Sequence, residues 1–143
     1  MELLNWNDDK MGVGIKLIDN QHKKLLEIIN KLATSINKNS QKNDLLPIVN
    51  ELVEYASYHF TTEEELFDKF NYAESEAHIS EHTHFIEKFL SMKNKILINK
   101  LYREKSAVET AEDIFIFLTN WFIEHVVGTD RKYVVLFKEN GIE

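Results

Sequence analysis

The sequence predicts an all-α protein: an antiparallel up-down four-helix bundle with an extended N-terminal arm and a short C-terminal helix. Three observations point there. Apolar residues recur in alternating steps of three and four along four stretches, which gathers them on one face of each helix. Only four glycines and one proline occur in 143 residues, little material for the tight hairpins of a β-protein. The stretches are joined by short connections, as antiparallel neighbours require. The chain reads as a single domain, 1–143, divided into an arm (1–17) and a bundle (18–143), within the ~100–150 residues around which domains cluster.

The arm mixes Trp6, Met11, Val13 and Ile15 with polar residues and is expected to lie extended over the bundle. The first stripe is Ile18, His22, Leu25, Ile29, Leu32 and Ile36. After the polar run Asn37–Asn43, Asp44 offers a cap and Pro47 would fall in the first turn of a second helix. That helix carries Leu45, Val49, Leu52, Ala56, His59, Glu63, Leu66 and Phe70 on one stripe. Phe70-Asn71-Tyr72 interrupts, and the third stripe follows as Ser75, His78, His82, Phe85, Phe89, Met92 and Ile96. Lys105–Glu109 is a weaker boundary, since Lys100–Lys105 can remain helical. The fourth stripe is Ile114, Leu118, Trp121 and His125.

Composition excludes several functions. Without cysteine there are no disulfides, thiolate metal ligands or cysteine nucleophiles. A net charge of −7 disfavours phosphate backbones, so no nucleic-acid partner is expected. Lys93, Lys95, Lys100, Arg103 and Lys105 alternate with apolar residues and read as an ordinary helix surface. No apolar run approaches ~18 residues and the start lacks a signal-peptide pattern, so a cytoplasmic protein with no membrane partner is expected. The absence of an apolar patch outside the seams makes a monomer the default expectation.

The anomaly lies on the stripes themselves. Each should be apolar, yet His22, His59, Glu63, His78, His82 and His125 fall on them. Buried without partners, such groups would cost ~1–3 kcal/mol each when neutral and several when ionised. Together that exceeds the ~5–15 kcal/mol that holds an ordinary domain folded. A metal satisfies them directly. The i,i+4 spacing of His59 and Glu63, and of His78 and His82, projects each pair from one helix face. Imidazole and carboxylate donors suit iron, zinc, copper or manganese better than calcium. A seventh candidate, Asp130, follows His125 by five residues, about 140° around a straight helix. It can reach the core only through a break, which Gly128 would permit, and otherwise it caps a last short helix, Arg131–Phe137. Seven such groups are too many for one tetrahedral zinc and point to two ions sharing carboxylates.

These residues resemble the bacterial hemerythrins over nearly the whole chain. Trp6 and Gly14 match the arm and IDNQH ends at His22; HxxxE is His59…Glu63, HxxxH is His78…His82, and W-x3-H-x4-D is Trp121…His125…Asp130. One departure is visible: Ala73 follows Tyr72 where the family often has proline. The resemblance implies reversible O2 binding at a non-haem, oxo- or hydroxo-bridged di-iron centre, for oxygen carriage, storage or delivery and not as an enzyme. His78, His82 and His125 would hold one iron, His22 and His59 the other, with Glu63 and Asp130 bridging. One coordination position then stays open on the two-histidine iron, walled by Leu25, Phe60, Trp121 and Val126.

Other functions remain open on the sequence alone. A ferritin-like oxidase would need two Glu-x-x-His pairs; the one present, Glu81…His84, falls off the seam, and His84 is expected in solvent. Glu64 and Glu65 likewise turn off their stripe toward solvent. An O2 or redox sensor, iron storage, and detoxification of peroxide or nitric oxide could all use the same site. Sensors of this type usually append an output domain, for which 143 residues leave no room. An unidentified oxygen-accepting or redox partner protein stays possible on this reading.

Overall fold

The structure, a computed structural model, describes residues 1–40, 42–102 and 106–143. Arg103 and Lys105, the side chain of Lys100, and the possible continuation of the third helix to Lys105 lie outside what it describes. Four long helices form the bundle: α2 (Lys16–Asn37), α3 (Lys42–Phe70), α4 (Ser75–Tyr102) and α5 (Ala107–Trp121). Each packs against its neighbours in sequence, and α5 closes the ring against α2. No helix among the described residues is long and apolar enough to cross a membrane.

The helix ends follow local chemistry. Asn39 and Asn71 adopt left-handed backbone (φ 53° each) just past α2 and α3, a conformation asparagine tolerates. Ser40 N–H then donates to the Ser35 carbonyl, and Tyr72 N–H to the Phe67 carbonyl, closing both helix ends. Ser106 and Glu109 form a reciprocal capping box at the start of α5. Helix α3 begins at Lys42, two residues before Asp44, so Pro47 lies in the second turn and forgoes an intrahelical bond there.

The arm departs from the expected extended chain. Asn7 accepts from the Lys10 N–H and starts a one-turn helix, α1 (Asp8–Met11), with Asp8 and Asp9 complementing its N-terminal dipole. Helix α2 starts at Lys16, inside the stretch the sequence assigns to the arm. Gly14 makes the join with φ +76°, while Val13 and Gly14 N–H groups donate to the Asp19 carboxylate in the first turn of α2.

The interior falls into two clusters. The larger runs along the bundle from Leu25 to Ile36, Leu45 to Phe60, Phe85 to Ile96 and Ala111 to Val126. The smaller caps one end with Val13, Ile15, Ile18, Phe67, Tyr133 and Phe137. Phe67 stands one position off the predicted stripe yet is fully buried here, whereas Leu66 and Phe70 are only half-buried. The polar residues of the stripes lie between the two clusters: Ile18 of the cap and Leu25 of the larger cluster flank His22 on α2, and Phe60 and Phe67 flank Glu63 on α3.

Candidate metal centre

All six polar residues on the stripes are buried, and Asp130 with them. Helix α2 supplies His22, α3 supplies His59 and Glu63, and α4 supplies His78 and His82, all from regular backbone. His125 and Asp130 arrive differently. Beyond Trp121 the chain widens into a π-turn, Phe122–Val126, whose Val127 N–H reaches back to the Phe122 carbonyl (3.3 Å). It then tightens into a 3-10 segment, Thr129–Tyr133, before α6 (Val134–Glu139). The widened and tightened turns together bring Asp130 to the same side as His125. The departure begins at Phe122, earlier than the expected break at Gly128, and Asp130 joins the cluster instead of capping a helix at Arg131. Gly128 still has a role: a Cβ there would sit 2.5 Å from the Glu124 carbonyl oxygen.

The donor atoms form two overlapping groups, each within 4.8 Å: Glu63, His78, His82, His125 and Asp130; and His22, His59, Glu63 and Asp130. Both carboxylates belong to both. Glu63 turns Oε1 to His59 Nε2 in close contact and Oε2 to His78 Nε2 (3.1 Å). Asp130 turns Oδ2 to His22 Nε2 (2.9 Å) and Oδ1 to His78 and His125 Nε2 (3.0 and 3.1 Å). Each carboxylate thus offers one oxygen to each histidine group.

Despite these short separations, neither Glu63 oxygen, neither Asp130 oxygen, nor His78 Nε2 makes an aligned hydrogen bond. The two Nε2 atoms of His22 and His59 face each other at 3.1 Å, and those of His82 and His125 at 3.2 Å. Buried carboxylate oxygens without an aligned donor, beside imidazole nitrogens crowded against one another, are what cations would satisfy, so the residues present fit a metal site. A cluster of this composition, at the junction of four helices, is a metal-binding arrangement.

Electrostatics in the metal-free cluster follow from burial against charge. Burial works to lower His59 and His78, but Glu63 and Asp130 hold both imidazoles up at about 9. Burial dominates at His82, with His125 and His78 adding to it, and the imidazole falls to about 3. Burial and Asp130 push Glu63 upward, yet His59 and His78 outweigh them and its carboxyl ends below the ordinary value. Burial likewise opposes charge on Asp130, and His125, His22 and His59 still hold it well below the usual carboxylate range. Tyr133, buried beside these carboxylates, is pushed far above the ordinary phenol value, first by burial and then by Asp130 and Glu63.

Three of the five rings are fixed from behind. His59 Nδ1 donates to Gln21 Oε1 (2.7 Å), and Gln21 in turn donates to Thr62 Oγ1 (3.2 Å). His82 Nδ1 contacts Glu64 Oε1 (2.9 Å), and His125 Nδ1 contacts Glu81 Oε2 (2.6 Å). Glu65 and His84 are exposed, as expected, but Glu64 is not the purely solvated residue the stripe implies. Glu81 also turns its carboxylate onto a site histidine. When such a ring is neutral and Nδ1 donates outward, Nε2 keeps its lone pair facing inward.

Of the wall expected around the two-histidine side, the two aromatics instead stack on the three-histidine group, Phe60 on His82 (3.9 Å between centroids, 9°) and Trp121 on His125 (4.4 Å, 14°). Leu25 and Val126 are fully buried in the same apolar cluster. Phe122, which no stripe includes, presents its ring edge-on to His22 at 6.4 Å.

Comparison with known proteins agrees with this geometry. Residues 13–137 match the family described as the hemerythrin HHE cation binding domain. A bacteriohemerythrin of Clostridium acetobutylicum is 33% identical over 133 residues, covering 90% of this chain and 97% of that protein. A hemerythrin-like protein of Naegleria gruberi is also 33% identical, over 129 residues, covering 90% of this chain and 89% of its own. The backbone superposes on a wild-type hemerythrin crystal structure with a TM-score of 0.81 at 23% identity, over 94% of this chain and 98% of the other. With the family matched across most of its length and the buried histidine–carboxylate cluster in place, the chain belongs to the hemerythrin family.

Proposed function

We propose that this chain binds O2 reversibly at a pair of iron ions, for carriage, storage or delivery, acting as a binding protein and not an enzyme. The observation that supports a pair of ions is the orientation of Glu63 and Asp130, one oxygen toward each histidine group. On this reading His78, His82 and His125 hold one iron and His22 and His59 the other, with both carboxylates between them. Five neutral imidazoles and two carboxylates are donors that suit iron. Bound iron supplies the electrons that reversible O2 capture draws on.

The protein's own contribution is enclosure and restraint. Leu25, Phe60, Trp121 and Val126, with Phe122 beside His22, make the surroundings apolar. In such low dielectric, charge separation is costly, so these side chains would favour O2 leaving as the neutral molecule that entered. Residues 1–143 serve as one unit in this reading.

Metal analysis of protein purified under reducing conditions should return about two irons per chain on this donor count. The visible spectrum should change on exposure to air and recover when oxygen is stripped out under argon. One zinc per chain would overturn the proposal. Two irons with steady peroxide turnover would replace carriage by oxidase chemistry.

A further inference from the structure

The two histidine groups differ on their outer sides. In the larger group, His82 and His125 each turn Nδ1 to a carboxylate, Glu64 at 2.9 Å and Glu81 at 2.6 Å. In the smaller group, His59 meets the neutral amide of Gln21; one ring in each group, His78 in the larger and His22 in the smaller, has no hydrogen-bond partner on Nδ1. The carboxylates are not sealed in: the side chains of Glu64 and Glu81 are 35% and 48% exposed. Glu64 and His82 border an open cavity of about 280 Å³ between α3 and α4, with Ser57, Thr83 and Glu87 around it.

A carboxylate accepting from Nδ1–H pushes electron density toward Nε2 and makes that imidazole a stronger donor, whereas an amide does so less. We propose that Glu64 and Glu81 are positioning residues that act through His82 and His125 to make the three-histidine half of the centre the more electron-rich, while Gln21 leaves the two-histidine half the better Lewis acid. The inference rests on the two-iron reading. It gives a physical reason for the two ions to differ beyond the number of histidines each holds.

The test uses the full chain with Glu64→Gln, Glu81→Gln, the converse Gln21→Glu, and Glu87→Gln as a control that loses the same charge from the same cavity without touching a histidine. Glutamine keeps the shape and the acceptor, so folding is retained and only the charge changes. Two quantities are read: Fe(II) affinity by competition with a chromophoric chelator under argon, and the reduction midpoint of the loaded centre by spectroelectrochemistry. Glu64→Gln and Glu81→Gln should each weaken Fe(II) binding about 10- to 100-fold and raise the midpoint. Gln21→Glu should lower the midpoint, and Glu87→Gln should match the parent in both. If the two glutamine variants at 64 and 81 are indistinguishable from Glu87→Gln, or if all four variants shift the midpoint in one direction, the inference is overturned. A parent protein that takes up fewer than two irons overturns the proposed function instead, and this inference with it.

Discussion

Glu63 and Asp130 reach the same place by opposite routes. Glu63 stands in the middle of a 29-residue α-helix, one turn after His59, and regular periodicity alone delivers it. Asp130 stands five residues after His125 and arrives only because a π-turn and a 3-10 turn replace the regular helix between 122 and 133. The two carboxylates are nevertheless near mirror images in what they contact, one oxygen to each histidine group. The difference teaches that the cluster dictates the endpoint and the backbone deviates as far as it must. It also locates vulnerability, since a regular helix has many ways to stay regular and a widened turn depends on particular residues.

The strongest break of that symmetry is deletion. Glu63→Ala and Asp130→Ala should each abolish binding of two irons and cost about 3–5 kcal/mol in the metal-free protein, because buried imidazoles lose their counter-charge. Metal content and denaturant unfolding read both. An Asp130→Ala protein that retains two irons would show that Asp130 is not a shared ligand. The shared charge balance comes next. His59 and His78 sit at about 9 in the folded metal-free chain against an ordinary 6.5, so folding is favoured by their protonation. That stability is fully present below about pH 6.5 and is lost as pH rises through about 9. Thermal unfolding of chelator-treated protein across this window should show a falling midpoint; a flat profile would contradict the assigned charges.

A smaller effect separates the two routes. Gly128→Ala forces a Cβ against the Glu124 carbonyl and should cost ~1–3 kcal/mol, with loss of metal, as the turn carrying Asp130 shifts. Thr61→Ala, exposed on α3 beside the regular route, should stay within ~0.5 kcal/mol of the parent. Equal tolerance at both positions would show that the irregular turn is not under steric control. Trp121→Leu removes the ring stacked on His125 and should lower thermal stability by ~0.5–1.5 kcal/mol beyond the lost burial.

What the sequence reveals follows the same division. The stripes through His22, His59, Glu63, His78 and His82 are visible because regular helix converts spacing directly into direction. Asp130 is only half visible: its distance from His125 demands a deviation, and Gly128 marks where the turn needs a bare backbone, but nothing in the spelling announces that widening starts at Phe122. Gln21, Glu64 and Glu81 escape for another reason. Their partners lie on other helices, 38, 18 and 44 residues away, and a carboxylate on a helix flank looks the same whether it meets water or an imidazole. Tyr133 and Phe67 were hidden because the cap they build lies across the end of the bundle and obeys no single helical register. The turn at Asp8–Met11 did have a signal, an asparagine followed by two acidic residues, overshadowed by the irregular pattern around it.

The guanidinium of Arg131, one residue past Asp130, donates to the Lys10 carbonyl (2.7 Å) and to the Val127 carbonyl (2.8 Å). Opposite termini are thereby latched together over the turn that carries the second shared carboxylate. Strain placed on the first dozen residues reaches the turn that carries Asp130 through this contact, while Met1 and Leu4 are tied separately to Asn37 and Asn30 on α2. The arm therefore acts as a clasp on that turn, and trimming it should disturb the position of Asp130 before it disturbs the helices.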